Sequence, residues 1–496
     1  MNIKGFLGLI YAKIICEKIN LWKSNPIQFQ QQTFNRLITE AKNTVFGNDH
    51  HFNKIKNYDD FKKNIPIRDY ENLIPYIQRI KNGEKNVLWK GLPIYFSKTS
   101  GTTSGTKYIP NTKESLQHQI DAARNAILSY VKETKKTNFI SGKMIFLQGS
   151  PELDNSGTIP TGRLSGIVAH HVPAYLQSNR LPSYNTNCIE DWETKIEEII
   201  KETLPEKMTL ISGIPPWVQM YFDKILEKTG KKTIQEIFPD FSLFIYGGVN
   251  FEPYRAKFEQ TIGKKIDSIE TYPASEGFIA FQDSQTQPGL LLNLNAGIFY
   301  EFIPTDEYFN ENPSRISLKE VELNKNYALI LNTDAGLWGY SIGYTVKFVS
   351  VNPYRIVVSG RIKHFTSAFG EHVIAEEVDF ALQNACNQLH IKVNEYHVAP
   401  QVNPPDGGIA YHEWFIEFAE TPQNLNVFSE VIDKSLQQKN SYYKDLRIGE
   451  MLRNIQIVPL PPGTIHNYMK NEGKLGGQNK LPRLANDRKI AEKLKQ

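Results

Sequence analysis

Apolar positions in this chain change their period along its length, and the changes mark out regions. Over residues 1–90 the texture is helical, rich in Lys and Asn, with polar breaks such as Gly47-Asn48-Asp49. Leu7, Ile10, Ile14 and Ile15 recur at helical spacing and predict a packing helix at the start. Glu114 to Glu133 predicts a second long helix. Three short apolar runs then follow, each closed by a turn signal, the pattern of buried strands. They are Met144–Gln148 before Gly149-Ser150-Pro151, Met208–Ile211 before Ser212-Gly213-Ile214-Pro215-Pro216-Trp217, and Leu243–Tyr246 before Gly247-Gly248. Helical stretches over 191–203 and 217–228 separate them. Strand–loop–helix alternation predicts an α/β architecture, a sheet covered by helices.

From about 290 to 358 the runs at Leu290–Leu294, Ile298–Ile303, Tyr327–Leu331 and Val346–Ser350 predict β-rich structure with short turns. Ser359-Gly360-Arg361 then introduces a C-terminal region that mixes helices (375–389, 425–439), a strand (411–419) and a basic tail. The expected organisation is a large N-terminal domain over 1–359 and a smaller α+β domain over 360–496.

Length and composition fit this division. A chain of 496 residues is too long for one compact core. A net charge of +4 gives no reason to invoke nucleic acid or an anionic membrane, and it does not oppose a polyanion such as ATP. Cys16, Cys188 and Cys386 are too few and too scattered for a disulfide framework or a zinc site, which fits a reducing cytoplasm. The apolar stretch Gly5–Tyr11 is interrupted by Lys13, and no run reaches the ~18 residues of a membrane span. The adjacent pairs His50-His51 and His170-His171 diverge on a helix or a strand and are not read as metal ligands. No obligate protein partner is evident.

Thr99-Ser100-Gly101-Thr102-Thr103-Ser104-Gly105-Thr106-Lys107 carries the strongest chemical signal. Two glycines among hydroxyl residues, ending in Lys107, predict a flexible loop whose N–H and O–H groups approach phosphate oxygens. Such a composition is equally that of a surface linker. The segment resembles the phosphate loop of the adenylate-forming superfamily. Within it, the chain is most similar to the acyl-acid amido synthetases related to the plant auxin-responsive Gretchen Hagen family. The likeness extends from Thr44-Val-Phe-Gly-Asn-Asp-His-His-Phe52 to Asn479-Lys-Leu-Pro-Arg483.

That resemblance implies roles for further residues. Thr271-Tyr272-Pro273-Ala274-Ser275-Glu276 is similar to the family's Y-x-x-S-E segment, which implies Tyr272 and Ser275 at the nucleotide and Glu276 as the Mg²⁺-associated carboxylate. Gly247-Gly248, at the end of an apolar run, suits either a tight turn or the close approach of a planar base. Gly360-Arg361-Ile362-Lys363 resembles the superfamily hinge, with Arg361 on the nucleotide and Lys363 absorbing the rotation between catalytic states. In the Gly-rich segment 473–483, Lys480 is implied as the cation that meets the α-phosphate. Ile214, Pro215 and Trp217 form either an apolar wall for the acid or a plain rigid turn. At Gly339-Tyr340-Ser341-Ile342-Gly343-Tyr344 the chain departs from the family. Relatives carry Asp where Tyr344 stands, and a phenol cannot replace a bidentate carboxylate at the ribose hydroxyls. Asp334 is a candidate to compensate.

The resemblance implies a ligase that uses ATP and Mg²⁺ to adenylate a small carboxylic acid and then passes the acyl group to an amino acid. Two alternatives stay open: an acyl-CoA ligase, or a degenerate nucleotide-binding protein with weak or no turnover.

Overall fold

The computed structural model describes residues 3–102, 105–172, 177–248, 251–362, 365–366, 368–371, 373–472 and 481–495. The chain divides into two compact units, Met1–Gly248 with Lys257–Ile362, and Val249–Ala256 with Lys363–Gln496.

The first unit is organised on a twelve-stranded mixed sheet among the described residues. Arg180–Leu181, Lys143–Phe146, Met208–Ser212, Leu243–Gly247 and Asp267–Ala274 lie side by side and parallel. Their near-continuous apolar runs are what a parallel strand needs, because helices cover both of its faces. Beyond Asp267–Ala274 the sheet turns antiparallel, through Gly277–Phe281, Leu290–Leu292, Tyr354–Arg361, Tyr340–Val351, Asn326–Thr333, Ile298–Pro304 and Ile316–Ser317. The chain leaves Lys143–Phe146 for the outer Arg180–Leu181 and returns on the other side at Met208–Ser212. That reversal opens a crevice at the carboxyl ends of the two strands.

An aromatic core joins the N-terminal helices to the antiparallel half. Phe34 packs against Phe61 and Phe299, and Trp338 meets Phe46 and Phe52. Inside it, Arg315 and Glu301 form a buried ion pair, with Tyr58 and Asn332 donating further bonds to the carboxylate.

Two expectations are corrected here. The helix Ile3–Ser24 packs through Gly5, Ala12, Ile15, Ile19 and Trp22, whereas Leu7, Ile10 and Ile14 are exposed. This helix is apolar on two faces, so periodicity alone could not say which was buried. Second, the described residues of 99–107 are strand and not irregular loop. Tyr95–Thr102 and Gly105–Asn111 form an antiparallel hairpin that pairs Thr99 with Lys107 and Thr102 with Gly105. Threonines, β-branched, suit such a ladder, and backbone pairing outweighs the glycines.

The second unit contains an antiparallel pair, Val393–Gln401 with Tyr411–Phe418, joined in parallel by Gln456–Leu460. Helices Ala375–Leu389 and Leu425–Lys439 pack together. Thr464–Asn471 and Lys489–Leu494, towards the C-terminus, are helices tied by Lys493 to Glu472.

Candidate functional site

Strand ends place Ile214, Gly247, Gly248, Ser275 and Glu276 at the carboxyl edge of the parallel sheet. Gly247 closes its strand opposite Thr271, and a Cβ there would fall 2.5 Å from the Thr271 carbonyl oxygen. Gly248 follows at φ +84°, with no atom within 4 Å of where its Cβ would stand. The pair thus combines tight strand packing with open space, which fits a planar ligand at that edge.

Tyr272 lies one residue on in the neighbouring strand and is almost fully buried. Its ring meets that of Tyr344 edge-on, with centroids 5.8 Å apart. Tyr344 pairs with Arg361 across adjacent strands, and the Ile362 N–H donates to the Gly343 carbonyl at 3.0 Å. Tyr344 therefore stands beside Tyr272, but without a carboxylate. Asp334 does not supply one. It belongs to the turn after Asn326–Thr333, whereas Tyr344 lies beside the other end of that strand, where Ala328 pairs with Thr345; six residues of strand span roughly 20 Å. Asp334 is buried and bound to Arg36 at 2.9 Å and His118 at 3.2 Å.

Ser275 and Glu276 form the turn between Asp267–Ala274 and Gly277–Phe281. Contacts from outside hold this turn. Gln119, on the helix Lys113–Thr134, donates to the Ala274 carbonyl at 2.8 Å, and the Tyr340 hydroxyl donates to Glu276 Oε1 at 3.3 Å. Tyr340 is fully buried, and that burial, reinforced by the Glu276 carboxylate, pushes its phenol far above the usual tyrosine range. It remains a donor throughout working pH.

The same tyrosine connects the turn to the hairpin. Arg68-Asp69-Tyr70 lies alongside it: the Arg68 carbonyl accepts the Ser341 N–H at 2.7 Å, and Tyr70 and Asp69 both act electrostatically on the Tyr340 phenol. The Tyr70 oxygen in turn accepts the Tyr108 N–H at 2.8 Å, and its ring lies 5.9 Å from Lys107 Nζ. Lys107, Tyr70, Tyr340 and Glu276 are one connected cluster. Sequence reasoning missed Tyr70, which sits at no recognisable spacing, and the support that Tyr340 gives to Glu276, which only the fold brings about.

The proposed acid-binding residues also lie at strand ends. Ile214 precedes the helix Pro215–Thr229, where Pro215 occupies the first turn, and Pro215 and Trp217 are buried. Across the crevice, Gln148 was not anticipated. It follows the strand Lys143–Phe146, and its side-chain nitrogen is buried with no hydrogen-bond partner. Next to it, a Cβ on Gly149 would fall 2.9 Å from Arg163 Cδ, so the arginine stem passes directly over this turn.

Thr103, Ser104, Lys363 and Lys480 lie outside the described residues, as do the side chains of Ser100, Gly101, Thr102 and Arg361. The strand Tyr354–Arg361 runs through Ser359-Gly360-Arg361, and the compact units change over after Ile362. Among the described residues no cluster of three or more His, Cys, Asp or Glu side chains could hold a metal by itself, and no helix is long and apolar enough to cross a membrane. The three cysteines are free thiols.

Comparison with known proteins bears on the fold and the family. A jasmonoyl-L-amino acid synthetase from Nicotiana attenuata is 23% identical over 399 residues, covering 67% of this chain and 68% of that protein. An indole-3-acetic acid-amido synthetase from Arabidopsis thaliana is 21% identical over 522 residues, covering 88% and 85%. The fold superimposes on that of the acyl acid amido synthetase AtGH3.15, solved in complex with 2,4-DB, with a TM-score of 0.63 at 15% identity over 98% of this chain and 96% of the other. Residues 15–185 and 161–266 match the GH3 family N-terminal domain, 291–361 the GH3 family central domain and 376–489 the GH3 family C-terminal domain. With most of its length so matched, the chain belongs to the GH3 family.

Proposed function

We propose that this protein is an ATP-dependent ligase that adenylates a carboxylic acid and joins the acyl group to the amine of an amino acid. The reading rests chiefly on the cluster of Lys107, Tyr70, Tyr340 and Glu276 beside the Tyr272–Tyr344 pair. It puts a cation and an anchored carboxylate next to an aromatic wall, as binding of a nucleotide triphosphate requires.

A carboxylate is a poor acyl donor because oxide would have to leave. In the proposed first step, a carboxylate oxygen attacks the α-phosphorus of ATP, the bond to the bridging oxygen breaks, and pyrophosphate departs. The amine then attacks the acyl carbon, loses a proton, and AMP leaves. The chain's task is to hold the reacting groups in line and to neutralise charge. Lys107 balances phosphate charge from the hairpin, and Tyr272 gives the base a buried apolar face. By family likeness, Lys480 meets the α-phosphate, and Lys363 serves as the hinge. Glu276 fits Mg²⁺: a single fixed carboxylate is the usual protein share for an ion that takes its other oxygens from phosphates and water. When bound, magnesium would supply charge neutralisation at the phosphates. The acid is assigned to the crevice between Gln148 and Ile214-Pro215-Trp217.

Pyrophosphate exchange across a panel of carboxylic acids tests the first half, and absence of exchange with every acid would sink it. Mass spectrometry of products formed with amino acids or with coenzyme A separates amide from thioester formation. Tyr344 favours a second reading, a nucleotide-binding protein with weak turnover, which the same exchange assay distinguishes.

A further inference from the structure

The helix Ile3–Ser24 has an apolar face left exposed among the described residues. Ile3, Leu7, Ile10, Ile14 and Leu21 follow one another at spacings of three, four or seven residues, and each is 45% to 80% exposed. Phe6 and Tyr11 widen the stripe on its two sides, at 54% and 43% exposure. The opposite face is fixed in the fold by Ala12, Ile15, Ile19 and Trp22, so the stripe is held rigidly outward. Scattered exposed leucines need no explanation, but a contiguous stripe over several turns marks an interaction surface.

Charge decides what that surface fits. At 100° per residue, Lys4 and Lys18 border one side of the stripe and Lys13 the other, and Glu17, the helix's one acidic residue, lies at the Lys13 edge between Phe6 and Ile10. A second copy of this helix fits poorly. The spacing is that of a coiled-coil seam, but the lysines on its borders would face one another across it. An apolar stripe with aromatic and lysine borders is the arrangement of a helix lying in the interface of an anionic bilayer.

We infer that the exposed face of Ile3–Ser24 docks the protein peripherally on an anionic lipid surface. The apolar side chains enter the acyl boundary and Lys4, Lys13 and Lys18 meet the headgroup phosphates. This goes beyond the proposed ligase activity and does not depend on it.

The test is flotation of the full chain with phosphatidylcholine vesicles, with and without phosphatidylglycerol. Binding is expected only when phosphatidylglycerol is present, with release in high salt. The triple variant Lys4→Glu/Lys13→Glu/Lys18→Glu should partition at least ~10-fold more weakly. Leu7→Ser/Ile10→Ser/Ile14→Ser should abolish flotation without lowering the melting temperature, because those side chains lie outside the packing face. Absence of flotation with anionic vesicles overturns the inference, as does undiminished binding by the serine variant. A dimer in sedimentation velocity that the serine variant dissociates would assign the face to a second copy and overturn it equally.

Discussion

The Tyr344 ring stands edge-on to Tyr272, with planes at 76° and centroids 5.8 Å apart. Strand register makes Tyr344 the neighbour of Arg361 as well. If the nucleotide's base rests on Tyr272, Tyr344 is placed for the ribose, where a carboxylate would accept from two hydroxyls and a phenol cannot. Charge-assisted bonds of that kind contribute about 1.5–3 kcal/mol. Tyr344→Asp is therefore expected to lower the ATP KM roughly 10- to 100-fold, measured in pyrophosphate exchange at saturating acid. An unchanged or raised KM would remove Tyr344 from the ribose.

Gln148 offers a second expectation. A buried amide nitrogen with no partner costs about 1–3 kcal/mol, so the fold keeps it at a disadvantage. Gln148→Met retains the volume and removes the unmet donor. It should leave thermal stability unchanged or raise it, while activity falls for acids that carry a hydrogen-bond acceptor along the chain. Equal loss for purely apolar acids would show that Gln148 does not contact the substrate.

His50 sets a pH limit on the N-terminal region. Its Nδ1 faces the Asn64 carbonyl at 3.1 Å and its Nε2 faces Arg68 Nη2 at 2.9 Å. The carbonyl requires a proton on Nδ1 and the guanidinium requires a lone pair on Nε2, which defines the neutral ring. Burial, and then the Arg68 charge, hold its pKa below the ordinary 6.5. The unfolded chain thus takes up the proton first as pH falls. Stability is fully present above about pH 7 and declines as pH drops through the unfolded value towards the folded one. Urea titrations of His50→Gln should show a shallower decline between pH 7 and 5 than the wild type, and parallel curves would exclude His50 as the source.

The parallel strands were legible in the sequence because burial on both faces leaves an unbroken apolar run, as at Met208–Ile211 and Leu243–Tyr246. The hairpin around Thr99–Lys107 was not, since its threonines, serines and glycines read locally as a loop and only cross-strand pairing makes them a ladder. The site divides in the same way. Gly247, Tyr272 and Glu276 sit in short motifs, whereas Tyr70 and Gln148 have no local signature. Asp334 misled for a related reason. In Asp-Ala-Gly it resembles an exposed turn, yet its partners Arg36 and His118 arrive from 298 and 216 residues away in sequence. Side-chain partners so distant have no periodicity to announce them.

Tyr340 and Glu276 give the sharpest test of how the carboxylate is held. The phenol is the observed donor to Glu276 Oε1, and its raised pKa keeps the proton in place, so no limb from Tyr340 should enter the pH–rate profile below pH 10. Tyr340→Phe removes only the oxygen. The 3.3 Å bond is long, and its loss should cost about 1 kcal/mol of stability. If Glu276 acts on magnesium, loss of this donor should raise the Mg²⁺ concentration needed for half-maximal exchange several-fold, with the KM for the acid unchanged. Glu276→Gln should raise it further, and combining the two substitutions should add little, because the tyrosine works through the carboxylate. A fall in kcat with no change in magnesium dependence would assign Tyr340 to packing alone and separate Glu276 from the metal.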